Sequence, residues 1–333
     1  MYNLEMLPLV ELHLHLDGAI TPDIAKNLAQ IQHIEIDACV PLERQLSVSE
    51  DCESLNEFLD CFKLPVSLLQ TPEAMELAVL LVAEQLQKEQ VMYAELRFAP
   101  QLHTQKKMTQ EDAICAALKG VQRSPIPLNL ILCCMRGADN KQENLETIRL
   151  AKKYLTDTGG VVAVDLAGAE ALYPTKDYKD VFAEARKHKI PFTIHAGEAA
   201  GADSVAYALA FGAARIGHGV RCISDGQILE QLKKKQTCLE LCPTSNLLTH
   251  AVERSQVYPI MQFLEQGVRV TLCTDDAAIC RTSLRKEYEA MCGQYHLTDR
   301  QVALLIENGI DAAFTTDTVK QELKRKLYKI VQN

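Results

Sequence analysis

The sequence predicts an α/β protein of the (β/α)8 or TIM-barrel class, with extra helices inserted after the first strand and closing helices at the C-terminus. Three observations predict it. Eight short apolar, β-branched runs alternate with longer amphipathic segments along the whole chain. Several of the runs are apolar almost without interruption, as strands of a parallel sheet covered by helices are. The residues able to do chemistry gather at the ends of these runs, where barrels of this class build their sites. A length of 333 residues suits one such unit. With no linker, internal repeat or low-complexity stretch, 1–333 reads as a single domain.

Strands are predicted at 10–15, 91–98, 128–135, 161–167, 192–195, 215–218, 238–242 and 269–274. Helical patterns fill the intervals at 110–121, 144–155, 179–188, 203–211, 225–235 and 258–265. Two of the helix starts carry caps: Thr109 precedes Gln110-Glu111-Asp112, and Thr71 precedes Pro72-Glu73, with proline at the first helical position. About 75 residues separate the first two strands, against roughly 25–40 for most later pairs, so helices at 24–30, 54–69 and 72–90 form an insertion. Long insertions at a barrel mouth shape or cover a site. Beyond the eighth strand, 283–292, 298–308 and 318–331 read as closing helices.

Composition narrows the function. Hydrophobic residues make up 47 %, enough for a large core, and 44 acidic residues against 35 basic ones give a formal charge of −9. Such a chain is poorly suited to a nucleic-acid backbone, and no basic run interleaved with aromatics occurs. No stretch approaches the roughly 18 apolar residues of a membrane span. The N-terminus lacks the basic start and apolar run of a signal peptide. Twelve cysteines contain no Cys-x-x-Cys pair, and Cys133-Cys134 lies inside an apolar run where thiols behave as small hydrophobes. These features read as a reduced, cytoplasmic protein.

The strand ends hold the chemistry. Strand one ends in His13-Leu14-His15-Leu16-Asp17-Gly18; strand alternation puts His13, His15 and Asp17 on one face. Strand two runs into Glu95-Leu96-Arg97, strand three into Arg136-Gly137, strand four into Asp165-Leu166-Ala167-Gly168. Strand five gives His195-Ala196-Gly197-Glu198, strand six Gly217-His218-Gly219, and strand eight Thr274-Asp275-Asp276. Strand seven, ending in Cys242-Pro243-Thr244-Ser245-Asn246, offers no charge. Taken singly each has a structural explanation: Asp165 a helix cap, Asp275 a turn, His195 a core histidine, Glu95 and Arg97 an internal ion pair supporting the barrel. His103 and His250 lie near strand ends and are left open.

Metal chemistry assembles the rest. A catalytic Zn²⁺ site takes mostly imidazole with some carboxylate and keeps a position for water. His13, His15, His195 and Asp275 supply such a set from strands one, five and eight. Strands one and eight are neighbours in a closed barrel, and strand five reaches across the interior. Glu198, three residues past His195, is placed to give or take a proton. His218, between glycines that permit close backbone approach, is placed to orient a water. The pattern is that of a metal-assisted hydrolase.

These four motifs, in this order, resemble those of the adenosine deaminase family. The likeness extends over nearly the whole chain, including Glu95-Leu96-Arg97-Phe98, Asp165-Leu166-Ala167-Gly168 and Cys133-Cys134-Met135-Arg136. It implies one Zn²⁺ per chain held by His13, His15, His195 and Asp275, with Glu198 protonating purine N1 and His218 positioning and helping to deprotonate the attacking water. It further implies that Asp276 bonds N7, the Gly168 N–H bonds N3, and Asp17 sits on a ribose hydroxyl. Phe58, Leu59 and Phe62 look like an apolar lid, inside the long insertion. The implied reaction converts adenosine, and 2′-deoxyadenosine with it, to inosine and ammonia. Two positions depart from the family pattern: Ala277 stands where proline usually follows the aspartates, and Ala169 precedes Glu170 where an acidic residue usually follows the glycine.

The nearest alternative is the same reaction on another 6-aminopurine, adenine or a 5′-modified adenosine; relatives that act on the free base typically carry glutamate where this chain has Asp17, so Asp17 favours a nucleoside over the free base. A non-catalytic binding protein on the same fold would have lost a ligand or Glu198, and none is lost. An ester or amide hydrolase of the wider superfamily would not need Asp275-Asp276 and the Gly168 segment together. The partner is a small purine nucleoside, with no nucleic acid and no membrane; no motif bears on oligomeric state.

Overall fold

The computed structural model describes residues 6–49, 58 and 60–331. Its strands are β1 (Leu9–His15), β2 (Val91–Phe98), β3 (Leu128–Met135), β4 (Val161–Ala167), β5 (Thr193–Ala196), β6 (Arg215–His218), β7 (Cys238–Leu241) and β8 (Val270–Leu272). β1 to β4 and β5 to β8 pair in order, all parallel. Two single bridges join the halves, Val164 with Phe192 and Leu14 with Asp275, so the eight strands close into the expected (β/α)8 barrel. Three predicted strands shift or shorten: β5 ends one residue later, β7 stops before Cys242, and β8 spans only Val270–Leu272. At β7 and β8 the chain leaves strand geometry early, ahead of Ser245, Asn246 and Asp275, whose side chains meet at the mouth.

The helices follow the amphipathic pattern because each buries one stripe on the barrel and wets the other. Pro22–Gln32 and Pro72–Lys88 form the insertion, each started by a threonine side chain accepting from the backbone, Thr21 from Ile24 and Thr71 from Ala74. Thr109 completes a capping box with Asp112 at the head of Gln110–Gln122. The helix expected over 54–69 is seen as Lys63–Leu68; 50–57 and Leu59 lie outside the described residues. Two short helices went unforeseen, Leu42–Leu46 and Pro243–Leu248. The closing helices are Leu284–Tyr295, Asp299–Ala312 and Asp317–Val331. No helix among the described residues is long and apolar enough to cross a membrane. Cys133 and Cys134 are buried free thiols in β3.

The barrel interior is charged along its axis. Arg215 bonds Glu95 at 2.7 Å and Glu240 at 2.5 Å; Arg97 bonds Glu240 at 2.9 Å and Asp165 at 3.0 Å, all fully buried. The expected Glu95–Arg97 pair is therefore corrected. The two residues sit on one face of β2, and each reaches across the barrel to a different strand. Phe314, just past Asp299–Ala312, plugs the far end: its ring lies 3.9 Å from the Arg215 guanidinium carbon and its N–H donates to Glu95. The cluster of metal-ligand side chains found among the described residues gathers at the opposite, C-terminal mouth.

Candidate metal-dependent active site

The site begins at β1. His13 and His15 point into the mouth as expected, but strand geometry ends at His15; Leu16 is helical and Asp17 opens a 3-10 turn, Asp17–Ala19. The alternation that pairs the two histidines thus does not extend to Asp17, which is buried in the turn. β8 meets β1 through the site itself. Asp275 N donates to His13 O at 2.8 Å, and His15 N donates to Asp275 O at 2.9 Å. Asp275 does this with φ at +64°, and His218, the last residue of β6, has φ at +61°. Non-glycine residues adopt this left-handed region at a cost, and such conformations cluster at functional sites.

Four ligand atoms converge. His13 Nε2 and His15 Nε2 lie 3.0 and 3.2 Å from His195 Nε2, and 3.0 and 3.3 Å from Asp275 Oδ1. Four donors held tetrahedrally on a zinc ion at its usual bond lengths would be about 3.3 Å apart. His218 flanks them; with His13, His195 and Asp275 it offers donor atoms within 4.8 Å of one another. The charge state of the donors fits a cation. Burial, with Arg97 nearby, lowers His13, and burial pushes His195 down to about 3, so both imidazoles present lone pairs. Burial acts to raise Asp275, but the His13 and His15 hydrogen bonds and the neighbouring His218 hold its carboxyl well below the usual range.

Each ligand is held from behind. Glu240 Oε2 lies 2.7 Å from His13 Nδ1, and Asp165 Oδ2 lies 2.9 Å from His195 Nδ1. Ser245 Oγ donates to Asp275 Oδ2 at 2.6 Å. Carboxylates on the far nitrogens orient ligating histidines and strengthen their basicity. Both carboxylates stay ionised: burial acts to raise them, but Arg97 and Arg215 beside Glu240, and His195 and Arg97 beside Asp165, outweigh it. Asp165 is therefore a brace for His195 and no helix cap. Glu240 and Ser245 went unread in the sequence, where strand seven seemed empty; the one signal was a lone glutamate inside Cys-Leu-Glu-Leu.

Around this set lie the groups able to handle a proton and a ring. Glu198 accepts from Thr249 Oγ1 at 3.1 Å, and its other oxygen lies 3.6 Å from His218 Nε2. His218 Nδ1 lies 2.9 Å from Asn246 Nδ2, and Tyr258 OH donates to Asn246 Oδ1 at 2.9 Å, so Asn246 fixes the ring with Nε2 toward the mouth. Asp276 is buried, its Oδ1 has no hydrogen-bond partner among the described residues, and burial with Asp275, Asp17 and Glu198 pushes its carboxyl well up. Gly168 is exposed at the end of β4, with φ at +102°. Phe58 packs in a cluster with Val48, Cys61, Ile279 and Cys280, against which Phe62 lies, so the insertion touches the loop that follows Asp276. Leu59 is outside the described residues. His103 is buried in the turn Pro100–His103, and His250 is exposed beside Glu253.

A (β/α)8 barrel gathering three imidazoles and a carboxylate at its mouth, with a carboxyl and a further imidazole beside them, defines a metal-dependent hydrolase. The family model described as adenosine deaminase matches residues 8–330. An adenosine deaminase of Haemophilus ducreyi is 48 % identical over 322 residues, covering 94 % of each chain. Among solved structures, an adenine deaminase from Arthrobacter aurescens superposes with a TM-score of 0.87 at 24 % identity, covering 98 % of this chain and 100 % of that one. An N6-methyl-AMP deaminase from Arabidopsis thaliana does so with 0.84 at 26 %, covering 98 % and 97 %. The chain belongs to the adenosine deaminase family, and is a metal-dependent deaminase of a purine-type substrate.

Proposed function

We propose that the chain hydrolyses adenosine, and 2′-deoxyadenosine with it, to the corresponding inosine and ammonia. The observation that carries the reading is the conjunction of four convergent donor atoms with Glu198, His218 and a buried, unpartnered Asp276 oxygen around one opening. A divalent cation, zinc in this reading, held by His13, His15, His195 and Asp275, would lower the pKa of bound water toward neutrality and so supply the nucleophile. Every other task falls to side chains of the chain. Glu198 delivers a proton to N1, which makes C6 electrophilic. His218, oriented by Asn246, holds the water on the opposite side. Asp276 meets N7 and the Gly168 N–H meets N3. Water oxygen replaces the amino group at C6, and the nitrogen leaves as ammonia.

Asp17 supports a nucleoside: it is buried in the turn after β1, near enough for its charge to act on Asp276, and free-base relatives typically carry glutamate at this position. Phe58 and Phe62, packed against the loop after Asp276, then serve as the apolar lid that excludes water; Leu59, expected with them, lies outside the described residues. A second reading, another 6-aminopurine such as adenine or a 5′-modified adenosine, draws on the solved structures, whose members act on a base and on a nucleotide.

One assay separates the two. Adenosine, 2′-deoxyadenosine, adenine and 5′-methylthioadenosine are followed by ultraviolet absorbance on purified protein, with metal per chain measured by elemental analysis. Adenosine turnover far above adenine, with one zinc per chain, is the expected result; adenine as the preferred substrate overturns it. Glu198→Gln is expected to keep its metal and lose kcat by about 10²–10⁴. Near-parental turnover in that variant removes Glu198 from the proton step.

A further inference from the structure

Glu170 is a buried carboxylate outside the metal set and outside every group assigned above. It follows β4 by three residues, and both of its oxygens are committed to the loop after β5. Oε1 accepts from Gly197 N at 2.8 Å and from Ser204 Oγ; Oε2 accepts from Glu198 N at 3.0 Å, Ala199 N at 2.8 Å and Ala200 N at 2.9 Å. Four successive backbone N–H groups turned inward form an anion nest, and here the anion is the chain's own side chain. A second clamp acts from the other side. Arg136 donates to His195 O at 2.6 Å and to Thr175 Oγ1 at 2.9 Å, and Thr175 Oγ1 lies 2.7 Å from Ser204 Oγ. Burial acts to raise Glu170, but the Ala200, Ser204 and Gly197 donors and Arg136 hold it below its ordinary value, so the clamp is ionised.

The clamped segment carries His195 at its start and Glu198 near its centre. Glu198 has one side-chain donor, Thr249, and is partly exposed, so its placement depends on the backbone beneath it. We propose that Glu170 is a positioning residue for the reaction, whose carboxylate fixes the 197–200 backbone and through it the Glu198 carboxyl. This rests on the deaminase reading, in which Glu198 carries the proton. The amide of Glu170→Gln turns an N–H2 toward N–H groups that have no other acceptor among the described residues, which releases the loop.

The test is a double-variant cycle on metal-loaded protein. Glu170→Gln, Glu198→Gln and the pair are compared for kcat, KM and metal per chain. Glu170→Gln is expected to lower kcat by about 10²-fold with KM within about threefold and metal content unchanged, and to cost less than about threefold more when Glu198 is already glutamine. Glu170→Asp, which keeps the charge on a shorter arm, is expected to recover at least about tenfold of the loss. Losses that multiply, a fall in metal content that accounts for the lost rate, or Glu170→Gln within threefold of the parent each overturn the proposal. If Glu170→Gln does not fold, Glu170→Asp and Ser204→Ala enter the same cycle with the same criterion. The cycle runs on whichever 6-aminopurine the parent turns over best, so preference for adenine would sink the adenosine reading and still decide the role of Glu170.

Discussion

Gly18 illustrates how single residues set this site. A Cβ built there would lie 1.9 Å from Asp276 Oδ1, so glycine closes the His-Leu-His-Leu-Asp-Gly motif because a carboxyl from the loop after β8 packs against its Cα. Gly217 is a second case: its Cβ would meet His13 Cε1 at 3.0 Å and His195 Cα at 3.2 Å. Asp276 cannot retreat easily, since its carbonyl accepts from Cys280 N at 2.8 Å while its carboxyl is buried. Gly18→Ala is therefore expected to turn the Asp276 carboxyl away. The measurable result is a fall in kcat/KM of roughly tenfold or more with metal content retained, since the methyl spares the ligands. An unchanged kcat/KM would mean that Asp276 does not contact the substrate.

At the scale of elements, the strands are tied to the site by buried charge. Glu240 of β7 touches His13, Arg97 and Arg215, and so links the first, second, sixth and seventh strands beneath the ligand set. Removing one partner of such a network leaves its neighbours buried and uncompensated. Glu240→Gln keeps the shape and removes the charge behind the His13 ring. Metal affinity, measured by competition with a chelator, is expected to fall by about 10–100-fold, as for other groups that orient a ligating histidine. Affinity equal to the parent's would show that His13 is oriented by the strand alone. The seam between β1 and β8 works the same way, because the Asp275 main chain both closes the barrel and presents a ligand.

For the whole molecule, histidines that burial keeps neutral make stability depend on pH in the acid range. His103 is the clearest because it lies outside the metal set: burial, partly offset by the Asp17 carboxylate and a backbone contact at Leu69, pushes it from 6.5 down to about 4. The unfolded chain takes up this proton more readily than the folded one. Its contribution is therefore complete above pH 6.5, is lost as pH falls from 6.5 toward 4, and is level below that. At about 1.4 kcal/mol per pH unit, the total loss is ~3 kcal/mol. His103→Leu cannot take the proton, so its Tm is expected to fall less than the parent's between pH 7 and pH 4. Parallel Tm curves would mean that His103 charges equally easily in both states.

Hydrophobic period, caps and strand ends are local properties, and the sequence by itself determined what depends on them: eight strands in order, the helices over them, and the four motifs His13–Gly18, His195–Glu198, Gly217–Gly219 and Thr274–Asp276. The convergence of His13, His15, His195 and Asp275 was legible too, because barrel closure dictates which strand ends face one another. Only the tertiary structure decided the partners behind them. Glu240, Ser245, Asn246 and Glu170 carry no motif of their own, and each acts by reaching a group between 27 and 227 positions away in the chain. Asp17 left the face of the two histidines for the same reason. Strand alternation is a rule of the local backbone, and it ends where packing against the mouth begins to direct the chain.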